Sequence, residues 1–217
     1  MRPASSPSLR VGAWRTKINS VVIGRFTNAL ILSRPGHICF VAAQPTRGTM
    51  GKTILVTGGA RSGKSAIAEA QALSLAPSAI YIATAEARDA EMAARIAAHQ
   101  ARRGPCWVTH PEPLDLTGAL NATDGRGPRL VDCLTLWLTN LMLGGHDWQS
   151  AARTLVAALP CQVDPVIIVT NEVGGGIVPD NPLAREFRDA AGLLNQWVAK
   201  AADDVIFAVA GLPLKVK

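Results

Sequence analysis

Acidic residues are absent from the first fifty positions of this chain, which hold seven Lys and Arg (Arg2, Arg10, Arg15, Lys17, Arg25, Arg34 and Arg47). The other 15 basic residues face all 16 acidic ones in 51–217, so the formal charge of +6 belongs to the head and the body is nearly neutral. Aromatics are scarce too, at 5%. A nucleic-acid-binding body needs a basic stripe interleaved with aromatics, so no nucleic acid is expected as a partner. Apolar runs of about eighteen residues are missing, which excludes membrane insertion by a helix and leads us to expect a soluble protein. Four widely spaced cysteines (Cys39, Cys106, Cys133, Cys161) include no CxxC pair. Neither a disulfide framework nor a zinc knuckle is expected, and free thiols fit a reducing cytoplasm. Wholesale disorder is excluded in turn, because 48% of the residues are hydrophobic.

The head reads badly as a fold. Pro3, Pro7 and Pro35 and a Ser/Arg-rich opening break up short apolar runs with no sustained period. Residues 1–50 are read as a basic extension, disordered or upstream of a true start at Met50, with a flexible tail and an organellar transit peptide as alternatives. Residues 51–217 have the size of one domain. Their pattern alternates. Strands are predicted at Thr53–Thr57, Ala79–Ala83, Trp107–Thr109, Arg129–Val131, Val166–Thr170, Val205–Val209 and Leu214–Val216. Helices are predicted at Lys64–Leu75, Arg88–Arg103, Leu134–Leu143, Ser150–Leu159 and Leu183–Ala201. Continuous apolar strands separated by helices imply an α/β fold, a mostly parallel sheet covered on both faces. Residues 121–129 read as a surface loop.

The strongest motif is Gly58-Gly59-Ala60-Arg61-Ser62-Gly63-Lys64-Ser65, which satisfies G-x-x-x-x-G-K-S/T between a strand and a helix. The glycines let successive backbone N–H groups point at phosphate oxygens, and the helix N-terminus adds its dipole. Lys64 is assigned to the β- and γ-phosphates and Ser65 to a divalent cation such as Mg²⁺, so the chain is expected to bind a nucleoside triphosphate. Asp132, ending an apolar run, is the candidate second metal-associated residue; a helix N-cap is the competing role. A third cluster follows the strand at 166–170. There Asn171 and Glu172 precede three consecutive glycines, at the strand end where ligands bind in open parallel sheets. Glu172 is a candidate to orient a nucleophile or bind a hydroxyl. The glycines suit a mobile lid, against the plainer reading of a long loop.

On the predicted helix from Arg88, the residues Met92, Arg95, His99 and Arg102 or Arg103 line one face, with alanines 90, 93, 94 and 97 available for close packing. Arginines beside His99 would attract phosphates and favour neutral, nucleophilic imidazole; the plain alternative is a surface histidine. His37, His110 and His146 have no comparable setting.

Taken in order, GGARSGKS (58–65), YIATAEARDAEMAARIAAH (81–99), VDCLTLWLTN (131–140) and TNEVGGGIVPDNPLAREFRDAAGLLNQ (170–196) resemble the bifunctional adenosylcobinamide kinase/adenosylcobinamide-phosphate guanylyltransferases. The resemblance runs from about Thr53 to Lys217. It implies a RecA-like P-loop fold and a two-step enzyme. ATP or GTP would phosphorylate the aminopropanol hydroxyl of adenosylcobinamide. GTP would then donate GMP through a histidine phosphoramidate, giving adenosylcobinamide-GDP. The guanylylated histidine carries over to His99, with Arg95 in the same motif and Ala98 beside it, and the family implies a homotrimer. The head departs from relatives that start near the first strand. The alternatives are a single-function small-molecule P-loop kinase and a RecA-like module whose basic head grips nucleic acid.

Overall fold

The computed structural model describes residues 51–217 apart from Arg88 and the side chains of Arg95 and Arg102. The reading of residues 1–50 lies outside the described residues.

In chain order the elements are β1 (Thr53–Thr57), α1 (Lys64–Leu75), β2 (Ala79–Ala83), α2 (Ala90–Arg102), β3 (Trp107–Pro111), α3 (Leu116–Thr123), β4 (Arg129–Asp132), α4 (Leu134–Leu143), α5 (Trp148–Ala158), β5 (Val166–Val169), α6 (Pro182–Ala201), β6 (Asp204–Val209) and β7 (Leu212–Lys215). The strands form one sheet in the order β3-β2-β4-β5-β1-β6-β7. Six run parallel and β7 returns antiparallel to β6. The central strands are apolar throughout because both faces are covered. Ile54, Val56, Tyr81, Leu130, Ile167 and Val169 pack under α1, whose Ala68 and Ala72 let its backbone approach the sheet. Leu55, Ile80, Ile82, Val131, Val166 and Ile168 meet a thicker layer from α3, α4, α5 and α6, built on Leu120, Trp137, Leu138, Leu155, Leu194 and Val198. Among the described residues no helix is long and apolar enough to cross a membrane.

The α/β expectation holds, and three local readings change. The predicted surface loop at 121–129 contains the end of α3, a helix the composition concealed, and closes with Arg129, which is fully buried in β4. Its guanidinium is paired with the Asp124 carboxylate and donates to Gln162 Oε1 (3.1 Å) and the Asp164 carbonyl (2.9 Å). Those partners make a buried cation tolerable. The second helix starts at Ala90, because the Asp89 carboxylate accepts from Met92 N (2.7 Å) and caps it there. Third, β3 extends to Pro111 through its parallel pairing with β2.

Parallel strands bring β1, β2, β4 and β5 to one edge of the sheet with their carboxyl ends side by side, which gathers the chemistry-bearing segments. Strand β5 lies between β1 and β4, so the 170–172 segment emerges between the glycine-rich loop and Asp132.

Candidate nucleotide site and the histidine helix

The glycine-rich loop leaves β1 at Thr57 and enters α1 at Lys64, as the motif requires. Two of its glycines are demanded by close approach. A Cβ on Gly58 would stand 2.6 Å from Ser62 Oγ and 2.8 Å from the Ala208 carbonyl. Gly63 has φ +90°, and its Cβ would stand 2.9 Å from the Gly211 Cα. Arg61 adopts φ 55° and Gly63 φ +90°, so residues of opposite hand alternate along the loop, the pattern from which anion-binding nests of backbone amides are built. The loop is pinned from outside. Gly211 N donates to the Ser62 carbonyl (2.9 Å), and Glu172 N donates to the Gly58 carbonyl (3.1 Å). Gly211 belongs to the tight β6–β7 turn, a supporting residue that sequence reading missed.

Lys64 Nζ donates to the Gly59 carbonyl at 3.0 Å, across the loop it serves. Burial lowers its pKa from the ordinary lysine value, while electrostatic interaction with Cys133 and Asp132 works in the opposite direction. Ser65 is half-buried in the first turn of α1. Thr57 Oγ1, at the end of β1, and Ser62 Oγ, within the loop, are buried without a hydrogen-bond partner.

Asp132 ends β4 half-buried, and its Oδ2 accepts the phenol hydrogen of Tyr81. The N-cap role does not hold. Cys133 occupies the cap position of α4 and makes no side-chain cap bond. Instead, Thr84 Oγ1 accepts from Cys133 N (2.7 Å) and donates to the Cys133 carbonyl (2.8 Å), fixing the chain directly after the acid. The Asp132 side chain is thereby spared from capping. Burial, followed by the Asp132 charge, pushes the Cys133 thiol up to about 11, so it stays protonated.

After β5, Thr170 Oγ1 donates to Asn195 Oδ1 (2.7 Å), Asn195 Nδ2 donates to the Asn171 carbonyl (3.1 Å), and Asn171 N donates to Thr135 Oγ1 (2.9 Å). Asn171 is thus held between α4 and α6. Glu172 is exposed and its Oε1 accepts from Gly174 N (2.7 Å), so its carboxylate stays within its own turn. Beyond it the loop is exposed up to Val178, and Ile177 is 96% exposed.

His99 sits exposed on α2. The close packing anticipated for alanines 90, 93, 94 and 97 is absent, since all four are exposed and no described side chain of α2 is buried. The side chain of Arg95 lies outside the described residues. Among the described residues no hydrogen bond joins His99 to the glycine-rich loop. His110 is half-buried on β3, and His146 is exposed beyond α4. Sequence reading also missed Tyr81 and the depth at which Arg103 lies: its guanidinium stands 3.5 Å from the centre of the Tyr81 ring.

A strand, a pinned glycine-rich loop with Lys64 and Ser65 opening a helix, and an acid two strands away on a parallel sheet define a P-loop NTPase. Residues 54–216 match the family described as cobinamide kinase / cobinamide phosphate guanyltransferase, and the chain belongs to that family. Its two activities, cobinamide kinase and cobinamide-phosphate guanylyltransferase in cobalamin biosynthesis, are the family's, which sets aside the single-function kinase. The chain is 47% identical over 167 residues to the bifunctional adenosylcobalamin biosynthesis protein CobP of Pseudomonas aeruginosa, covering 75% of this chain and 96% of that protein. It is 46% identical over 186 residues to CobU of Salmonella typhimurium and 42% identical over 182 residues to CobU of Escherichia coli. Each of these matches covers 76% of this chain and 99% of the relative.

Proposed function

We propose that one nucleotide cradle, residues 58–65, serves both reactions and that His99 carries GMP between them. In the kinase step the backbone amides of Gly59–Ser65 and the Lys64 ammonium hold the triphosphate, and Arg61 offsets charge that develops on the transferred group. The acceptor is the aminopropanol hydroxyl of adenosylcobinamide, with ATP or GTP as donor. Asn171 and Glu172, at the mouth of the cradle, are assigned to substrate or nucleotide contact.

In the second step a ring nitrogen of His99 attacks the α-phosphorus of GTP. The bond to the β-phosphate oxygen breaks, and pyrophosphate leaves into the grip of Lys64 and the loop. An oxygen of adenosylcobinamide phosphate then attacks the same phosphorus, the N–P bond breaks, and the imidazole returns to its starting state with adenosylcobinamide-GDP formed. Covalent relay splits one difficult displacement into two. Arg95 is assigned to the phosphates at this station.

Ser65 and Asp132 offer a hydroxyl and a carboxylate, hard oxygen donors that suit a cation keeping several waters and phosphate oxygens, such as Mg²⁺. When bound it would neutralise charge on the transferred phosphates. Self-association is supported by the exposed apolar row at the sheet edge, Leu212 (71% exposed), Leu214 and Val216, and we read it as a homotrimer. Free Cys106, Cys133 and Cys161 support a cytoplasmic setting.

The observation that carries this reading is a preformed phosphate cradle and an exposed imidazole in one chain of this family. Intact-mass measurement after exposure to GTP tests it: the wild-type chain gains one acid-labile GMP, and His99→Ala gains none. A label of equal yield on that variant overturns the assignment of His99.

A further inference from the structure

We propose that Tyr81 and Arg103 are a positioning pair that ties the His99 helix to the carboxylate of Asp132; the functional half of this rests on the reading of His99 as the GMP carrier. Tyr81 is the chain's one tyrosine and is 4% exposed. Its two ends face different elements. In register it stands opposite Leu130, so its ring points to the same face as Asp132, two residues further along β4. The phenol spans that diagonal and donates to Asp132 Oδ2. The ring face meets Arg103, whose guanidinium carbon lies 3.5 Å from the ring centre. Trp107 closes the assembly edge-on, with centroids 5.8 Å apart and planes at 87°.

Arg103 is the residue that ends α2. Its N–H donates to the Gln100 carbonyl at 3.1 Å, which joins it to the last turn, and it follows His99 by four positions. Its Nε and Nη1 are buried with no hydrogen-bond partner. Leaving such groups unpaired is costly, and a desolvated guanidinium stacked on an aromatic face recovers part of that cost. With no described side chain of α2 buried, this stack is the interior anchor of the helix among the described residues. An imidazole one turn away is held in place by it, and small misplacements of a reacting group cost large factors in rate. Through the hydroxyl, the same ring orients the carboxylate assigned to the cation.

Because the ring face and the hydroxyl act separately, two substitutions separate them. Arg103→Met removes the stacked charge. Amide hydrogen exchange over residues 90–102 is expected to rise about tenfold relative to the sheet. The rate of GMP loading is expected to fall more than kinase kcat does, and Arg103→Lys should restore part of both. Tyr81→Phe keeps the face and removes the hydroxyl. Exchange in α2 should then stay at the wild-type level, while Mn²⁺ affinity measured by EPR in the presence of GDP weakens about tenfold. Unchanged exchange in Arg103→Met overturns the helix tether, and unchanged Mn²⁺ affinity in Tyr81→Phe overturns the link to Asp132. Should wild-type protein take up no GMP at all, the His99 reading fails, and the exchange and Mn²⁺ measurements still decide the pair.

Discussion

Between Gly58 and Ser65 the backbone is held by its neighbours on several sides, whereas the helix that carries His99 buries none of its described side chains. The loop meets Gly211 on one flank and Glu172 on another, and two of its glycines have no room for a methyl group. Helix α2 has an N-cap at Asp89 and a stack at Arg103, and its body is exposed or half-buried. A phosphate cradle acts by preorganisation, so its amides must already point inward before the nucleotide arrives. A group that receives GMP at one place and delivers it to a second substrate gains from a light tether. On the proposed reading the contrast is between a site that stabilises charge and a residue that carries a group, and each substitution acts on one side or the other.

The largest effect is expected at the proposed carrier. His99→Ala should abolish GMP transfer, a loss beyond about 10³-fold for a missing nucleophile, while cobinamide phosphorylation continues. Assaying both products from one preparation checks this. Equal losses in the two reactions would mean that His99 belongs to the cradle and not to a separate station. Next comes Lys64→Ala, which on the proposed reading, where its ammonium serves the β- and γ-phosphates in each reaction, should cut both by about 10² to 10³-fold. Normal GTP turnover in that variant would show that the charge comes from elsewhere.

Below these in size is Asp124→Asn, which acts on the body that carries the cradle. Burial opposes ionisation of Asp124, but the Arg129 guanidinium and the N–H groups of Val163 and Asp164 outweigh it and hold the carboxyl down to about 2. Neutralising it leaves the fully buried Arg129 with the more distant Asp164 carboxylate, 4.0 Å away, as its remaining anion, a cost of up to about 3–5 kcal/mol. The folded carboxyl titrates below its ordinary value, so its contribution is complete above about pH 4 and is lost as pH falls toward 2. Denaturant melts at pH 7 and pH 3 should show the gap between wild type and variant narrowing in acid. Both activities should fall together in the variant, in step with the folded fraction.

What could be read from sequence, and what could not, follows the range of the interactions. The cradle lies within eight residues, and its strand and helix announce themselves by composition, so α1 begins at Lys64 as expected. Helix α3 escaped because Leu116–Thr123 contains Gly118 and two threonines; it is stabilised by burial of Leu116, Ala119 and Leu120 under α5, and by the Asp115 cap. Arg129 stood at the end of the predicted loop and the start of a predicted strand; its burial escaped because two of its partners, Gln162 and Asp164, come from the far side of α5. Tyr81 read as one more apolar strand residue. Only the pairing of β2 with β4 brings its hydroxyl to Asp132.

Smaller again is Gly63→Ala. A left-handed φ and a Cβ 2.9 Å from the Gly211 Cα make alanine cost about 1–2 kcal/mol there, and the loop must shift to admit it. Nucleotide affinity by fluorescence titration should drop about tenfold, with exchange in α2 unaltered. Accelerated exchange in α2 would show that the two regions are not independent, and the contrast drawn above would have to be abandoned.

The smallest effect on stability is expected at Gly175 and Gly176, and it is the most informative about motion. Neither has a left-handed φ, and a Cβ added to either meets nothing within 4 Å, so the observed conformation has no use for glycine there. Alanine at both should change the free energy of unfolding by less than about 1 kcal/mol, with a slight gain from a stiffer unfolded chain. The anchors on either side are firm: Glu172 Oε1 holds Gly174 N, and Arg185 Nη1 donates to the carbonyls of Pro179 (2.8 Å) and Asp180 (2.7 Å). The short stretch between them carries the exposed Ile177. If the glycines serve a second arrangement, in which the loop backbone lies against bound substrate, Gly175→Ala with Gly176→Ala will raise KM for cobinamide severalfold while the melting temperature stays level. If KM and melting temperature both stay level, the three glycines are a passive connection between β5 and α6, and the lid reading is wrong.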